Sequence, residues 1–122
     1  MGNPCISEKE YREILKQTFD QVEAAFVDID PDVAECEQAL GSMTISFQDG
    51  SKCIFSAQPS VRQLWVAIAS KGLAYHFNYD FDKHEWWQER WQERCDNKER
   101  GIEFKALLKS YLKEMTGVDF RL

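Results

Sequence analysis

Met43-Thr44-Ile45-Ser46-Phe47-Gln48-Asp49-Gly50-Ser51-Lys52-Cys53-Ile54-Phe55 is the stretch that decides the fold class of this chain. Met43, Ile45 and Phe47 alternate with polar residues, so an extended segment here has one apolar face and one wet face. Asp49-Gly50 follows, a dipeptide that accepts the positive φ angles of a type I′ turn. Cys53 and Phe55 then resume the period of two. The spacing predicts a β-hairpin.

Upstream the period is different. Tyr11, Ile14, Leu15, Thr18, Phe19, Val22, Phe26 and Ile29 recur at steps of three and four, which predicts one long amphipathic helix. Ser7-Glu8-Lys9-Glu10 is its capping box, and Pro31 sets its limit. From Val33 the period is already two, giving a first strand before the hairpin. Downstream, a fourth strand is predicted through Leu64, Val66 and Ile68 and a fifth through Tyr75, Phe77 and Tyr79. Phe104, Leu107, Leu108, Tyr111, Leu112 and Met115 restore helical spacing, with Gly117 as the C-terminal cap. Strands grouped between two helices predict an α+β fold: a two-layer αβ-sandwich, its antiparallel sheet packed against the N-terminal and C-terminal helices. The 122 residues are expected to form a single domain, 1–122.

Composition narrows the function classes. No apolar run approaches the ~18 residues of a membrane span. The N-terminus carries neither an apolar export segment nor an Arg-rich amphipathic one, so a cytoplasmic protein is expected. Cys5, Cys36, Cys53 and Cys95 are far apart and read as free thiols. His76 and His84 have no zinc-ligand spacing, and a pI near 4.9 argues against a nucleic-acid partner.

Charge is the strongest functional signal. Between Lys16 and Lys52 there is no Lys or Arg, but there are Asp20, Glu23, Asp28, Asp30, Asp32, Glu35, Glu37 and Asp49. These eight acids exceed the net charge of −6, so the remainder of the chain sums to +2. An ordinary solvated face mixes signs, and a block of one sign attracts cations or a basic partner. Asp20 and Glu23, with Glu13, lie on the helix side away from the apolar stripe, and Glu35 and Glu37 share one strand face. If that strand lies beside the helix, the carboxylates form a ridge. Such oxygen-only ligands suit hard cations. Asp28-x-Asp30-x-Asp32 resembles the start of a calcium loop, but Val33 and Ala39 stand where Gly and a bidentate Glu are required.

Strand parity sets Gln63, Trp65 and Ala67 opposite Leu64, Val66 and Ile68. If the latter are core, Trp65 lies on the open face as a protein-contact anchor, unless a neighbour covers it. His76 shares a face with Ala74 and Asn78. No nucleophile–base arrangement or phosphate loop is present, so no enzyme is expected. Trp87-Gln88-Glu89-Arg90 is repeated at once as Trp91-Gln92-Glu93-Arg94, a tandem that fits a strand or a helical turn equally.

Gly50-Ser51-Lys52, Gln58-Pro59, Arg62-Gln63-Leu64-Trp65-Val66-Ala67 and Tyr75-His76-Phe77 together resemble the central signature of the frataxin family in its bacterial CyaY-type form. Cys36-Glu37, Asp49-Gly50 and Gly101-x-x-Phe104-x-x-Leu107-Leu108 occur in family order, so the likeness covers most of the chain. It implies an αβ-sandwich that binds iron weakly (ferrous or ferric) and acts in iron–sulfur cluster assembly, as iron donor or regulator. It further implies contact with a cysteine desulfurase through the acids and with a scaffold protein through the strand Trp. Glu23, Asp28, Asp30, Asp32, Glu35 and Glu37 match acidic positions of the family, while Asp20 rests on its helix face. Gln58, Gln63 and Trp65 fall on the contact strands. Ser56-Ala57 departs from the family pattern of Asn and a base, either Trp86 or Trp91 matches the second Trp, and Val118 and Phe120 of the tail are expected to pack between the helix ends, as tails do in some relatives. Two other readings use the same acids: ferroxidase and iron storage with iron-dependent oligomerisation of a monomer, or an acidic adaptor with incidental metal.

Overall fold

A computed structural model describes residues 6–88 and 101–122. Helix α1 (Glu8–Ala24) leads into strands β1 (Ala34–Ala39), β2 (Ser42–Phe47), β3 (Lys52–Gln58), β4 (Gln63–Ile68), β5 (Leu73–Asp80), β6 (Glu85–Gln88) and β7 (Ile102–Glu103), and helix α2 (Phe104–Thr116) closes the fold. Neighbouring strands pair antiparallel in chain order from β1 to β7. This is the expected α+β sandwich, with two strands, β6 and β7, beyond the five predicted.

Both helices cover one face of the sheet. Tyr11, Leu15, Phe19 and Val22 from α1 and Phe104, Leu108, Tyr111 and Leu112 from α2 are buried against Met43, Ile45, Cys53, Phe55, Leu64, Val66, Ile68 and Phe77. Phe55 sits at the centre, edge-on to Phe19 and Phe104 at 6.2 and 5.7 Å between ring centroids. Across the register, Glu37, Thr44, Ile54 and Ala67 line one row of the opposite face, and Ser56, Trp65 and His76 line another. No element covers that face among the described residues.

Three local expectations need correcting. The first helix stops at Ala24, a full turn short of Ile29. Its last turn contains no base, so Glu23 and Asp28 face the negative end of the helix dipole, which disfavours extension. Residues beyond it tighten into i→i+3 bonds (Phe26 to Glu23, Ile29 to Phe26), turning Phe26 inward onto Phe120 at 4.9 Å. The hairpin turn is not type I′. Only Gly50 has positive φ (88°), and Gly50 N–H donates to the Phe47 carbonyl while Phe47 N–H donates to that of Ser51. That is a type I turn closed by a left-handed glycine. Asp49 leaves the left-handed region because its carboxylate accepts from the Ser51 amide and hydroxyl at 2.9 and 2.6 Å. In the C-terminal tail, Phe120 is core while Val118, expected beside it, is exposed.

Candidate functional site

The acidic residues flank the outer strand of the sheet. β1 lies beside α1, and Gln38 joins them: its amide nitrogen donates to Asp20 at 3.2 Å and to Glu23 at 3.4 Å. The strand is pleated, so Ala34, Cys36 and Gln38 turn toward the helix while Glu35 and Glu37 stand exposed on the open face. Asp28, Asp30 and Asp32 are exposed in the connection between α1 and β1. The acids therefore run down the end of α1, round the loop and along the open side of β1.

Their environments differ. Asp20 is bonded to Lys16 at 2.7 Å, and this contact, helped by Gln38, holds its carboxyl below the usual range. Among the described residues, Glu23, Asp28, Asp30, Asp32, Glu35 and Glu37 form no ion pair with Lys or Arg. Asp30 accepts from the Asp32 amide at 2.9 Å, which shapes the loop. Cys36 lies between Glu23 and Glu37. Burial, with these two negative charges added, pushes its thiol up to about 12, so it stays protonated. Among the described residues no three His, Cys, Asp or Glu side chains converge to hold a metal ion. The carboxylates are dispersed oxygen donors, the ligand class that hard cations take.

The second feature lies on β3 and β4. Trp65 is half-buried on the open face, stacked on His76 with centroids 4.0 Å apart and planes 10° from parallel. Its indole N–H donates to Gln63 Oε1 at 2.8 Å, and Gln63 Nε2 donates to Asn78 at 3.2 Å. Gln63 is buried, so it orients Trp65 rather than presenting a free amide. Gln58 is half-buried, and its backbone N–H donates to the Tyr11 hydroxyl at 2.8 Å. That hydroxyl in turn donates to the Gln63 carbonyl at 2.5 Å. Tyr11 thus ties the ends of β3 and β4 to α1.

A family model described as a frataxin-like domain matches residues 4–118. The chain belongs to the frataxin family. It is 33% identical over 115 residues to the iron-sulfur cluster assembly protein CyaY of Pseudomonas fluorescens (strain Pf0-1), covering 94% of each chain. The protein of that name from Stutzerimonas stutzeri (strain A1501) is 40% identical over 81 residues, 66% of this chain and 71% of the relative. The solved frataxin of Psychromonas ingrahamii superposes with a TM-score of 0.75 at 17% identity, covering 94% of this chain and 96% of that one, a likeness of fold.

Within this frataxin fold, several side chains make contacts that spacing alone does not announce. His76 was paired only with its own strand neighbours, because its stack on Trp65 depends on the β4–β5 register. Tyr11 read as one more core position of α1, and nothing in the spacing announced its two backbone bonds. Trp86 is buried and its indole donates to Thr18 at 2.8 Å. Trp87 is half-buried on the open face with Lys83 over its ring at 4.4 Å. Most of the repeated tetrapeptide, from residue 89 on, lies outside the described residues, as does Trp91. No helix of the described residues is long and apolar enough to cross a membrane.

Proposed function

We propose that this chain is an iron-binding protein of iron–sulfur cluster assembly, serving a cysteine desulfurase/scaffold complex in the cytoplasm as iron donor or regulator. The observation that carries the reading is the run of exposed carboxylates that have no basic partner among the described residues, from Glu23 through Asp28, Asp30 and Asp32 to Glu35 and Glu37. The printed name of the relatives, iron-sulfur cluster assembly protein, supports the pathway. Oxygen donors favour ferrous and ferric iron over soft metals, and their dispersal favours weak, exchangeable binding. The same charge suits a basic surface on the desulfurase, while Trp65, with Gln58 beside its strand, suits the scaffold protein. Asp20 is the weakest of the proposed ligands, because Lys16 already occupies it.

The role proposed is non-enzymatic. Oxidation of ferrous iron beyond the stoichiometry of bound metal would replace it with a ferroxidase. The primary test is an amide-resolved NMR titration with ferrous iron under anaerobic conditions, with calcium as control. We expect paramagnetic broadening confined to residues 20–37 and a weaker response to calcium. An equal response to both ions, or none in that stretch, would make iron incidental.

A further inference from the structure

Among the described residues no strand pairs with the outer edge of β1, and the backbone groups there can be assigned. Ala57 N–H donates to the Gly41 carbonyl at 2.9 Å, which makes Gly41 and Ala57 a hydrogen-bonded pair across β2 and β3. Antiparallel alternation then directs the amide groups of Ser42, Thr44 and Ser46 toward β1, onto Ala39, Glu37 and Glu35. Cys36 and Gln38 therefore point their N–H and C=O groups away from the sheet. On the helix side of this edge lies a groove of about 640 Å³ between α1 and the β1–β2 turn, with Leu15 and Phe19 in its floor and Leu40 on its rim. Leu40 is 104% exposed, an unburied aliphatic side chain at the tip of the turn.

We propose that the β1 edge accepts an extended segment of a partner protein as an added strand, with Lys or Arg at alternate positions and an apolar residue between them. The inference rests on the acidic ridge being a partner surface and names the segment that surface takes. Side chains on one face of such a strand stand beside Glu35 and Glu37, and those on the other turn toward Glu23, Gln38 and the apolar groove. Charge decides the occupant. A second copy of this chain pairing through β1 would set Glu35 and Glu37 against the same acids, so the edge is protected from self-association. A basic strand meets the opposite sign along the open face, at Glu35 and Glu37.

The test uses a ten-residue synthetic peptide with Lys at every second position and one central Leu, added to the full chain. Amide hydrogen exchange and titration calorimetry provide the readouts. Saturating peptide is expected to slow exchange at Cys36 and Gln38 at least tenfold. Cys36→Pro removes an outward N–H that the sheet does not use, and is expected to weaken the peptide at least tenfold. Glu35→Lys/Glu37→Lys is expected to abolish binding. Unprotected Cys36 and Gln38 amides in the wild-type complex overturn the strand addition, whatever the proline variant does. If the charge variant alone loses the peptide, strand addition fails and the acidic partner surface stands. If neither variant loses it, both fail. Protection at these amides that rises with protein concentration, without peptide, assigns the edge to a second copy and also overturns the proposal.

Discussion

Trp65 and Trp86 are the same side chain in opposite situations, and truncating each to alanine separates a contact surface from a core. Trp65→Ala removes a ring stacked on His76 at 4.0 Å and an indole bond to Gln63 at 2.8 Å. Such a stack is worth about 0.5–1.5 kcal/mol and a neutral hydrogen bond a net of about 0.5–1.5 kcal/mol. Water reaches one side of both, so we expect a loss near the lower end, about 1–1.5 kcal/mol. Trp86→Ala removes a side chain only 3% exposed, edge-on to Tyr79 at 5.2 Å and to Tyr11 at 6.2 Å, and bonded to Thr18. An aromatic truncation of that kind costs about 3–5 kcal/mol. At roughly 3–5 °C per kcal/mol for a chain of this size, the melting temperature should fall about 3–7 °C for Trp65→Ala and about 9–25 °C for Trp86→Ala. Thermal unfolding followed by near-ultraviolet circular dichroism gives both values, and titration calorimetry against the scaffold protein gives the affinities. A central aromatic anchor carries 2 kcal/mol or more, so Trp65→Ala should weaken that complex about 30-fold. Well below its melting temperature, Trp86→Ala should bind nearly as the wild type. Equal destabilisation by the two variants, or unchanged affinity for Trp65→Ala, would refute the assignment of Trp65 as an anchor.

Asp28→Lys/Asp32→Lys should leave the urea midpoint within the equivalent of about 0.5 kcal/mol, because both acids are exposed and a base suits the end of α1 better. Asp30 is kept because it shapes the loop, and a loss above about 1.5 kcal/mol would mean the other two acids are structurally paired. Gly50→Ala should cost about 1–2 kcal/mol in urea unfolding, a backbone penalty alone, since φ is +88° and an added Cβ meets nothing within 4 Å. Cys36 and Cys53 should alkylate slowly with iodoacetamide at pH 8, since burial pushes both thiols up to about 12. Unfolded thiols ionise near pH 8.5, so this contribution is complete below that pH and is lost as the pH rises toward 12. A stability profile flat from pH 8 to 11 would contradict it.

How much was legible follows from the range of each interaction. The alternation from Met43 to Phe55 and the three-and-four spacing of α1 and α2 are local, and they gave the sandwich and its two faces correctly. Strand parity was enough to put Trp65 on the open face. The short strands β6 and β7 were missed because four and two residues carry too little period to register, and pairing with β5 and each other supplies what local pattern lacks. The α1 limit was misjudged because Phe26 and Ile29 kept the spacing after the helix had tightened into turns. Gln63 looked like a free contact group by parity. Only the three-dimensional register shows its side chain engaged by Trp65 and Asn78.

That register also bears on whether the ridge and the tryptophan act separately. Glu37 and Trp65 share the open face, three strands and one pleat repeat apart through Thr44, Ile54 and Ala67. Strands spaced about 4.8 Å apart and a two-residue step of about 6.6 Å separate their Cα positions by roughly 16 Å. A partner footprint of about 800 Å² is roughly 30 Å across, so one interface spans both. The side chains between them are small or flat: Thr44 and Ser56 are half-buried, and Ile54, at 38% exposure, is the one large apolar group in the gap. A desulfurase and a scaffold protein meeting on this sheet would therefore touch each other as well as the chain. Ile54→Lys puts a charge at that junction without altering either anchor. It should weaken the three-component assembly by tenfold or more beyond the combined effect on the two isolated partners. Additive affinities in the presence of both partners would show that the two surfaces serve different complexes.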